Sequence, residues 1–361
     1  IYNLLRALPD ADPNLRYTVF AGPQGDPPEH ARMAVRRARW RTERPARRIL
    51  WEQIAQPFAV QRAKPDLLHG LAFVSPVLNR VPSIVTVYDL SFVHYPERLP
   101  ASRRLYLRLL TRWSCERARR VIVISRSTAH DLTGIFGIPA HKIDVALPGV
   151  SELFVPLPEA EVAAFRAEKS LPERFILFLG TLEPRKNLPV LLRAFAQLPA
   201  AERETVHLVL AGGRGWMTDE IFATIERHDL GATVHLPGYV PGDELPLWYN
   251  AAETFVYPSI FEGFGMPVVE AQACGTPVIV SSVSSLPEAA GDAGVQLPPD
   301  DVGAWADALH RAISDLAWRA DMRARGIAHA AGFTWARTAA QTVASYRAAL
   351  DANRRDTENL T

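Results

Sequence analysis

Short apolar, β-branched runs recur along this chain, and between them the apolar residues switch to a helical period. In the first half the strand-like runs fall at residues 17–21, 67–68, 84–87, 121–124 and 143–146, with helical patterns at 102–120 and 127–136 among them. The second half repeats the scheme, with strand-like runs at 175–180, 206–212, 233–240, 254–258 and 277–281. Leu188, Leu191, Leu192 and Phe195 then recur at i, i+3, i+4 and i+7, the buried stripe of one helix, with Asn187 as its expected N-cap. Further helices are expected at 243–252, 285–290, 302–316 and 336–350, followed by a polar, frayed tail at 351–361. Strands alternating with helices of these lengths predict βαβ units and parallel sheets, an α/β fold.

Residues 148–158, rich in proline and including Gly149, have the composition of a linker and divide the pattern in two. The expected domains are 1–150, 151–335 and a closing helical segment 336–361. A linker there lets two halves close over a ligand and exclude water. At 361 residues and 48% hydrophobic content the chain can bury two cores, yet no apolar run approaches the ~20 residues of a membrane span. Cys115 and Cys274 are too few for a disulfide framework and carry no metal-ligand spacing, so a reducing, cytoplasmic setting is expected.

The net charge of +1 conceals a polarity, since residues 1–160 carry +9 and residues 161–361 carry −8. Much of the basic excess lies in one run, Arg32, Arg36, Arg37, Arg39, Arg41, Arg44, Arg47 and Arg48, with Trp40 and Trp51 among it. One reading is a solvated helix or loop face. The sharper reading is peripheral contact with an anionic membrane surface, because arginine interleaved with tryptophan suits a lipid headgroup layer. No nucleic-acid-binding motif accompanies the charge, and no nucleic acid is expected as a partner.

The chemistry concentrates in the second half. After the run 254–258 comes Ser-Ile-Phe-Glu262-Gly263-Phe264-Gly265-Met266-Pro267-Val-Val-Glu270, ending at Gly275. Proline suits the first position of a helix and glycine its end, so the helix is expected to begin at Pro267, with Glu262 in the loop and Glu270 about one turn inside. Both carboxylates then stand at the C-terminal edge of a strand, where open α/β sheets bind ligands, and the glycines let backbone N–H groups approach. The run 175–180 leads into Thr181-Leu-Glu-Pro-Arg185-Lys186-Asn187, two cations in a βα loop at a helix N-terminus, a site suited to a diphosphate. Gly213 and Arg214 occupy another strand-to-helix turn, and Tyr239-Val240 follow a further strand. In the first half Asp89 either caps a turn or orients an acceptor hydroxyl or the donor group of a bound substrate, while His69 and His94 read as structural or surface residues.

Two glutamates eight apart around Gly-Phe-Gly-Met-Pro, with Gly-Thr-Leu-Glu-Pro-Arg-Lys-Asn upstream, resemble the signature of the retaining glycosyltransferases of family 4. That resemblance implies the GT-B fold: two Rossmann-like, doubly wound parallel-sheet domains facing a cleft, with the final helix crossing back to the first domain. It implies transfer of a hexose, first guess mannose from GDP-mannose, to a hydroxyl of a glycan or lipid-linked acceptor, without metal or other cofactor. Arg185 and Lys186 would hold the diphosphate, Glu270 the ribose hydroxyls and Glu262 the transferred sugar, aided by backbone around Phe264, Gly265 and Met266. Gly213, Arg214, Tyr239, Val240 and Thr181 would complete the donor site, with Tyr239 either touching the base or merely packing. Thr181 stands where other members carry an arginine, and Arg214 is a candidate to replace it; Tyr88 stands where many carry a histidine. The family's first strand and glycine-rich loop are expected before residue 1 and are missing from this numbering. Alternatives left open are a UDP-sugar-dependent transferase, a nucleotide-sugar epimerase of similar fold, and a non-catalytic binding subunit.

Overall fold

The computed structural model describes residues 1–38, 42 and 45–358. The chain divides into two compact units, Ile1–Gly149 together with Thr334–Thr361, and Val150–Phe333.

The first unit contains a parallel pair, β1 (Tyr17–Ala21) and β2 (Met33–Arg37). It also contains a four-stranded parallel sheet, β3 (Leu68–Gly70), β4 (Ser83–Val87), β5 (Arg120–Val123) and β6 (Ile143–Val145), in that order. Successive side chains on β4 and β5 serve opposite faces, as a strand requires. Ile84 and Ile122 pack with Leu5 and Leu8 of the first helix and Ala339, Val343 and Tyr346 of the last. Val85, Val87, Val121 and Val123 pack with Leu90, Phe92, Leu132 and Phe136 on the other side. Both faces are covered, which is why these strands read as continuous apolar runs.

The last helix, Trp335–Glu358, thus belongs to the first unit, and it runs eight residues beyond the expected stop at 350. Residues 351–358 contain no proline or glycine to end it. The rest of the expected tail, 359–361, lies outside the described residues. His69 ties this helix to the sheet, with its Nδ1 2.7 Å from the Tyr346 hydroxyl and its Nε2 2.7 Å from Thr86 Oγ1. Burial pushes its pKa down to about 4, so the ring is neutral at pH 7 and its role is structural. His94 Nε2 meets Asp131 Oδ2 at 3.0 Å.

The arginine run is not a helix or loop face throughout. Arg36 and Arg37 are exposed on β2, a strand held by its backbone pairing to β1 with only Met33 buried. Arg47 and Arg48 lie on the helix Pro45–Leu50, while Arg39, Trp40, Arg41 and Arg44 lie outside the described residues.

The second unit holds one six-stranded parallel sheet. Its strands are β7 (Phe175–Leu179), β8 (His207–Ala211), β9 (Val234–Gly238), β10 (Thr254–Tyr257), β11 (Val278–Ser281) and β12 (Gly294–Leu297). The spatial order is β12-β11-β10-β7-β8-β9, so the winding reverses between β7 and β10. At such a reversal the loops leaving the two strands diverge and open a crevice at the C-terminal edge. Several elements differ from expectation, among them the helices Glu159–Glu168 and Ala200–Thr205, which carry no expected counterpart. The edge strand β12, half-exposed and containing glycine and glutamine, carries too weak a pattern to be read from sequence. The helix expected over 302–316 is present as Val302–Ser314, and a further helix that was not expected, Leu316–Ala330, follows it. Asp315 makes the break between them, its Oδ1 accepting from the Trp318 N–H at 2.8 Å as cap of the second helix. No helix among the described residues is long and apolar enough to cross a membrane.

Candidate functional site

The loops leaving β7 and β10, on either side of the reversal, carry the two motifs. After β7 the chain turns through a single 3-10 turn, Pro184–Lys186, before the helix Leu188–Ala196. Asn187 stands at the N-cap position but does not cap with its side chain. It adopts φ 54° instead and sends its Nδ2 to the Pro299 carbonyl at 2.6 Å, because the tight turn forces a left-handed residue there. After β10 the chain passes through residues 258–265 into the helix Met266–Ala273, so Pro267 is its second residue rather than its first. The loops are joined through backbone, Ile260 N–H donating to the Arg185 carbonyl at 2.9 Å.

This juxtaposition brings Arg185 and Lys186 into direct contact with Glu262, which lies 76 residues beyond Lys186 in the sequence. Lys186 Nζ donates to Glu262 Oε1 at 2.6 Å and to the Tyr257 hydroxyl at 2.5 Å. Arg185 Nη1 lies 2.7 Å from Glu262 Oε2 and donates to the Phe261 carbonyl at 2.5 Å. The other edge of the guanidinium, Nε and Nη2, donates to Glu183 Oε1 at 3.0 and 2.7 Å, and Trp216 Nε1 donates to Glu183 Oε2 at 3.3 Å. Lys186 and Glu183 are buried, and all four charged groups are shielded from water. Burial alone would raise the Glu262 carboxyl, but Lys186 and Arg185 outweigh it and hold it below its usual range. Burial likewise lowers Lys186, against the pull of Glu262.

The loop is held from behind. Ser284 Oγ and Ser285 Oγ each donate to the Glu262 carbonyl at 2.8 Å, and Ser285 Oγ also reaches the Phe264 carbonyl at 2.9 Å. Phe264 is buried, its ring centroid 5.7 Å from that of Phe333, and it anchors the segment Gly263–Gly265. Gly265 has φ 107°, and a Cβ there would come within 2.9 Å of Leu286, so both conformation and space demand glycine. Glu270 sits on the following helix. Its Oε2 accepts from the Tyr249 hydroxyl at 3.1 Å, and burial raises its pKa to about 7 against that bond.

The remaining candidates occupy neighbouring loops of the same edge. The turn at Gly213 pairs with the β7 loop, Leu182 N–H donating to the Gly213 carbonyl and Gly215 N–H to the Leu182 carbonyl, each at 3.0 Å. Thr181 is exposed beside Gly215. Arg214 is exposed, its guanidinium stacked 4.1 Å from the Phe222 ring centroid. Tyr239 is 78% exposed, which excludes the packing role and leaves its ring open, whereas Val240 is buried. Asp89 belongs to the first unit, where its Oδ1 accepts from Ser91 N–H at 2.7 Å in the turn that leads into the short helix Ser91–His94. Tyr88 packs edge-on against Phe73, 5.8 Å between centroids.

Several residues of this arrangement were not singled out from sequence. Glu183 lies within the quoted motif, two residues from Arg185, so its chance to clamp that side chain was legible. Tyr257 ends an apolar run at the correct edge. Tyr249, Ser284 and Ser285 gave no signal, because their partners are fixed only by how later elements cross the sheet.

Comparisons with known proteins agree with this geometry. Residues 161–329 match the family model described as glycosyl transferases group 1, and residues 1–152 match that of glycosyltransferase family 4. The chain is 36% identical over 294 residues to O-antigen chain mannosyltransferase B of Escherichia coli, covering 81% of this chain and 77% of the relative. It is 30% identical over 305 residues to the serotype-specific mannosyltransferase WbdA of the same species, of whose length it spans 37%. Among solved structures, sucrose-phosphate synthase from Thermosynechococcus elongatus superposes with a TM-score of 0.73 at 27% identity, covering 97% of this chain and 92% of that one. HepE of Anabaena, in complex with UDP-glucose, gives a TM-score of 0.69 at 20% identity over 91% of this chain and 98% of that one, a likeness of fold.

Proposed function

The chain belongs to the family 4 glycosyltransferases and has the GT-B fold, and from that premise we propose that it transfers mannose from GDP-mannose, with retention at the anomeric carbon, to a hydroxyl of a glycan or lipid-linked acceptor. The observation that carries the proposal is the contact of Glu262 with both Lys186 and Arg185, since it puts acceptors for sugar hydroxyls and donors for a diphosphate within one molecule's reach. The mannosyltransferase relatives support the choice of sugar.

In this reading the diphosphate meets Arg185 and Lys186, and Glu262 exchanges its cation contacts for the hydroxyls of the hexose. Cleavage of the anomeric C–O bond leaves the electron pair, and so the new negative charge, on the diphosphate. Arg185 and Lys186 stabilise that charge in a site shielded from water, where preorganised donors contribute most. The sugar develops oxocarbenium character and the acceptor oxygen attacks from the face the diphosphate leaves, its proton passing to a diphosphate oxygen. Glu183 is a positioning residue, holding one edge of Arg185 so that the other faces Glu262. Glu270 accepts from the ribose hydroxyls, and Tyr239 offers an exposed ring to the base.

The test is nucleotide release from GDP-mannose and UDP-glucose, with and without mannose-terminated acceptors. Release from GDP-mannose that requires acceptor and persists in EDTA is the expected result. Release without acceptor would indicate an epimerase, preference for UDP-glucose would correct the donor, and no release from any donor would leave a binding subunit.

Glu270 adds a pH signature. A carboxylate accepts ribose hydroxyls best when ionised, and in the free protein half of Glu270 is protonated near pH 7. Ligand binding therefore releases a proton, and GDP affinity should fall as pH drops from 8 to 6. Glu270→Ala should weaken GDP by about 1–3 kcal/mol, and titration calorimetry should show its pH dependence flattened. An unchanged slope in the variant would assign the titration to another group.

A further inference from the structure

The first unit carries two neighbouring helices with exposed apolar stripes. One is the continuous stretch Pro45–Leu50, Trp51–Ala55 and Gln56–Ala63, on which Leu50, Ile54 and Phe58 follow four residues apart and Phe58 is 63% exposed. The other is the helix Ala101–Arg117, on which Leu105 and Leu109, 57% and 56% exposed, lead one turn later to Trp113. The two are neighbours. Tyr106 of the second helix lies near enough to Glu52 and Arg48 of the first to feel their charges, and Gln53 accepts from the Val77 N–H at 2.9 Å, beside the exposed Leu78. Large apolar side chains on adjoining helices that turn to solvent rather than to a core mark a surface that something else covers.

Charge decides what covers it. These helices carry eight arginines, Arg47, Arg48, Arg62, Arg103, Arg104, Arg108, Arg112 and Arg117, against two glutamates, Glu52 and Glu116, each beside an arginine at 3.6 and 2.7 Å. Where the second stripe ends, a groove of about 470 Å³ is lined by Arg80, Trp113, Arg117 and Arg119, with Arg117 over the Trp113 ring. So large a positive excess repels a second copy of the same face and attracts a layer of negative charge with hydrocarbon beneath it.

We propose that this face, Leu50, Ile54 and Phe58 with Leu105 and Leu109, docks the protein on an anionic lipid surface. The leucines and phenylalanine enter the headgroup–acyl boundary, and the arginines meet the phosphates around them. The face differs from the Arg32–Arg48 run, of which it includes only Arg47 and Arg48. It is independent of the donor reading, since docking involves no residue of the nucleotide site.

The experiment is flotation with phosphatidylcholine vesicles and with vesicles containing 30% phosphatidylglycerol. The expected result is binding to the anionic vesicles alone, at least tenfold weaker at 0.5 M salt. The triple variant Leu50→Ser, Ile54→Ser, Phe58→Ser and the double variant Leu105→Ser, Leu109→Ser should each lower the partition coefficient about tenfold. Both change exposed residues, so melting temperature and nucleotide affinity should be retained. The proposal is overturned if the protein ignores anionic vesicles, if both variants bind as the parent does, or if sedimentation shows an oligomer that the substitutions dissociate.

Discussion

Glu262→Gln should lower kcat/KM for sugar transfer by about 10³-fold, roughly 4 kcal/mol, at the upper end of what one preorganised polar group supplies. Glutamine keeps the size of the side chain and removes its charge. The change has two consequences that pull apart. The transferred sugar loses its strongest acceptor, so turnover collapses. Lys186 and Arg185, however, lose the carboxylate that neutralises them in the free protein, so GDP should bind at least as tightly as before. The folded protein should also lose stability, toward the ~3–5 kcal/mol seen when one partner of a buried ion pair is removed. Thermal melting, GDP titration and steady-state kinetics on the same preparation separate these effects. Full transfer activity in the variant would remove Glu262 from the mechanism, and weakened GDP binding would contradict its competition with the diphosphate.

Lys186→Met should cost about 10²–10³-fold in kcat/KM, the range for deleting one donor aimed at developing charge. Methionine replaces the aliphatic stem without its ammonium, so packing against the Tyr257 ring, 4.5 Å from Nζ, is largely kept. Here GDP affinity should fall together with turnover, opposite to the Glu262 variant. A pH effect follows from the same contact. Lys186 holds the Glu262 pKa down, so removing it lets burial raise that pKa. If activity needs ionised Glu262, the acid limb of kcat/KM must then move to higher pH. Rate profiles of parent and variant from pH 5 to 8 test this, and coincident acid limbs would mean that Glu262 ionisation does not govern the rate.

The contrast between the two variants rests on a pairing no motif states. Arg185, Lys186, Glu262 and Glu270 could all be read as charged groups near the ends of apolar runs. Their mutual distances could not, because two cations and a carboxylate far apart in sequence meet only if the strand of each neighbours that of the other. Hydrophobic period tells that β7 and β10 are buried strands. It does not tell that β10 pairs with β7 rather than with β9, its predecessor in sequence.

What the chain determined locally is the alternation of parallel strands with helices, the linker near residue 150, and the two charged βα loops. Each follows from neighbours within a few turns, where side-chain period, glycine and proline act directly on the backbone. What tertiary structure alone decided is of another kind. It set the reversal of winding between β7 and β10, the clamp of Glu183 on Arg185, the serines behind the Glu262 loop, and the strand made from part of the arginine run. It also added the helix Leu316–Ala330 after Asp315 and extended the last one to Glu358. These depend on which surfaces meet, and a periodicity records that a face is buried without recording what buries it.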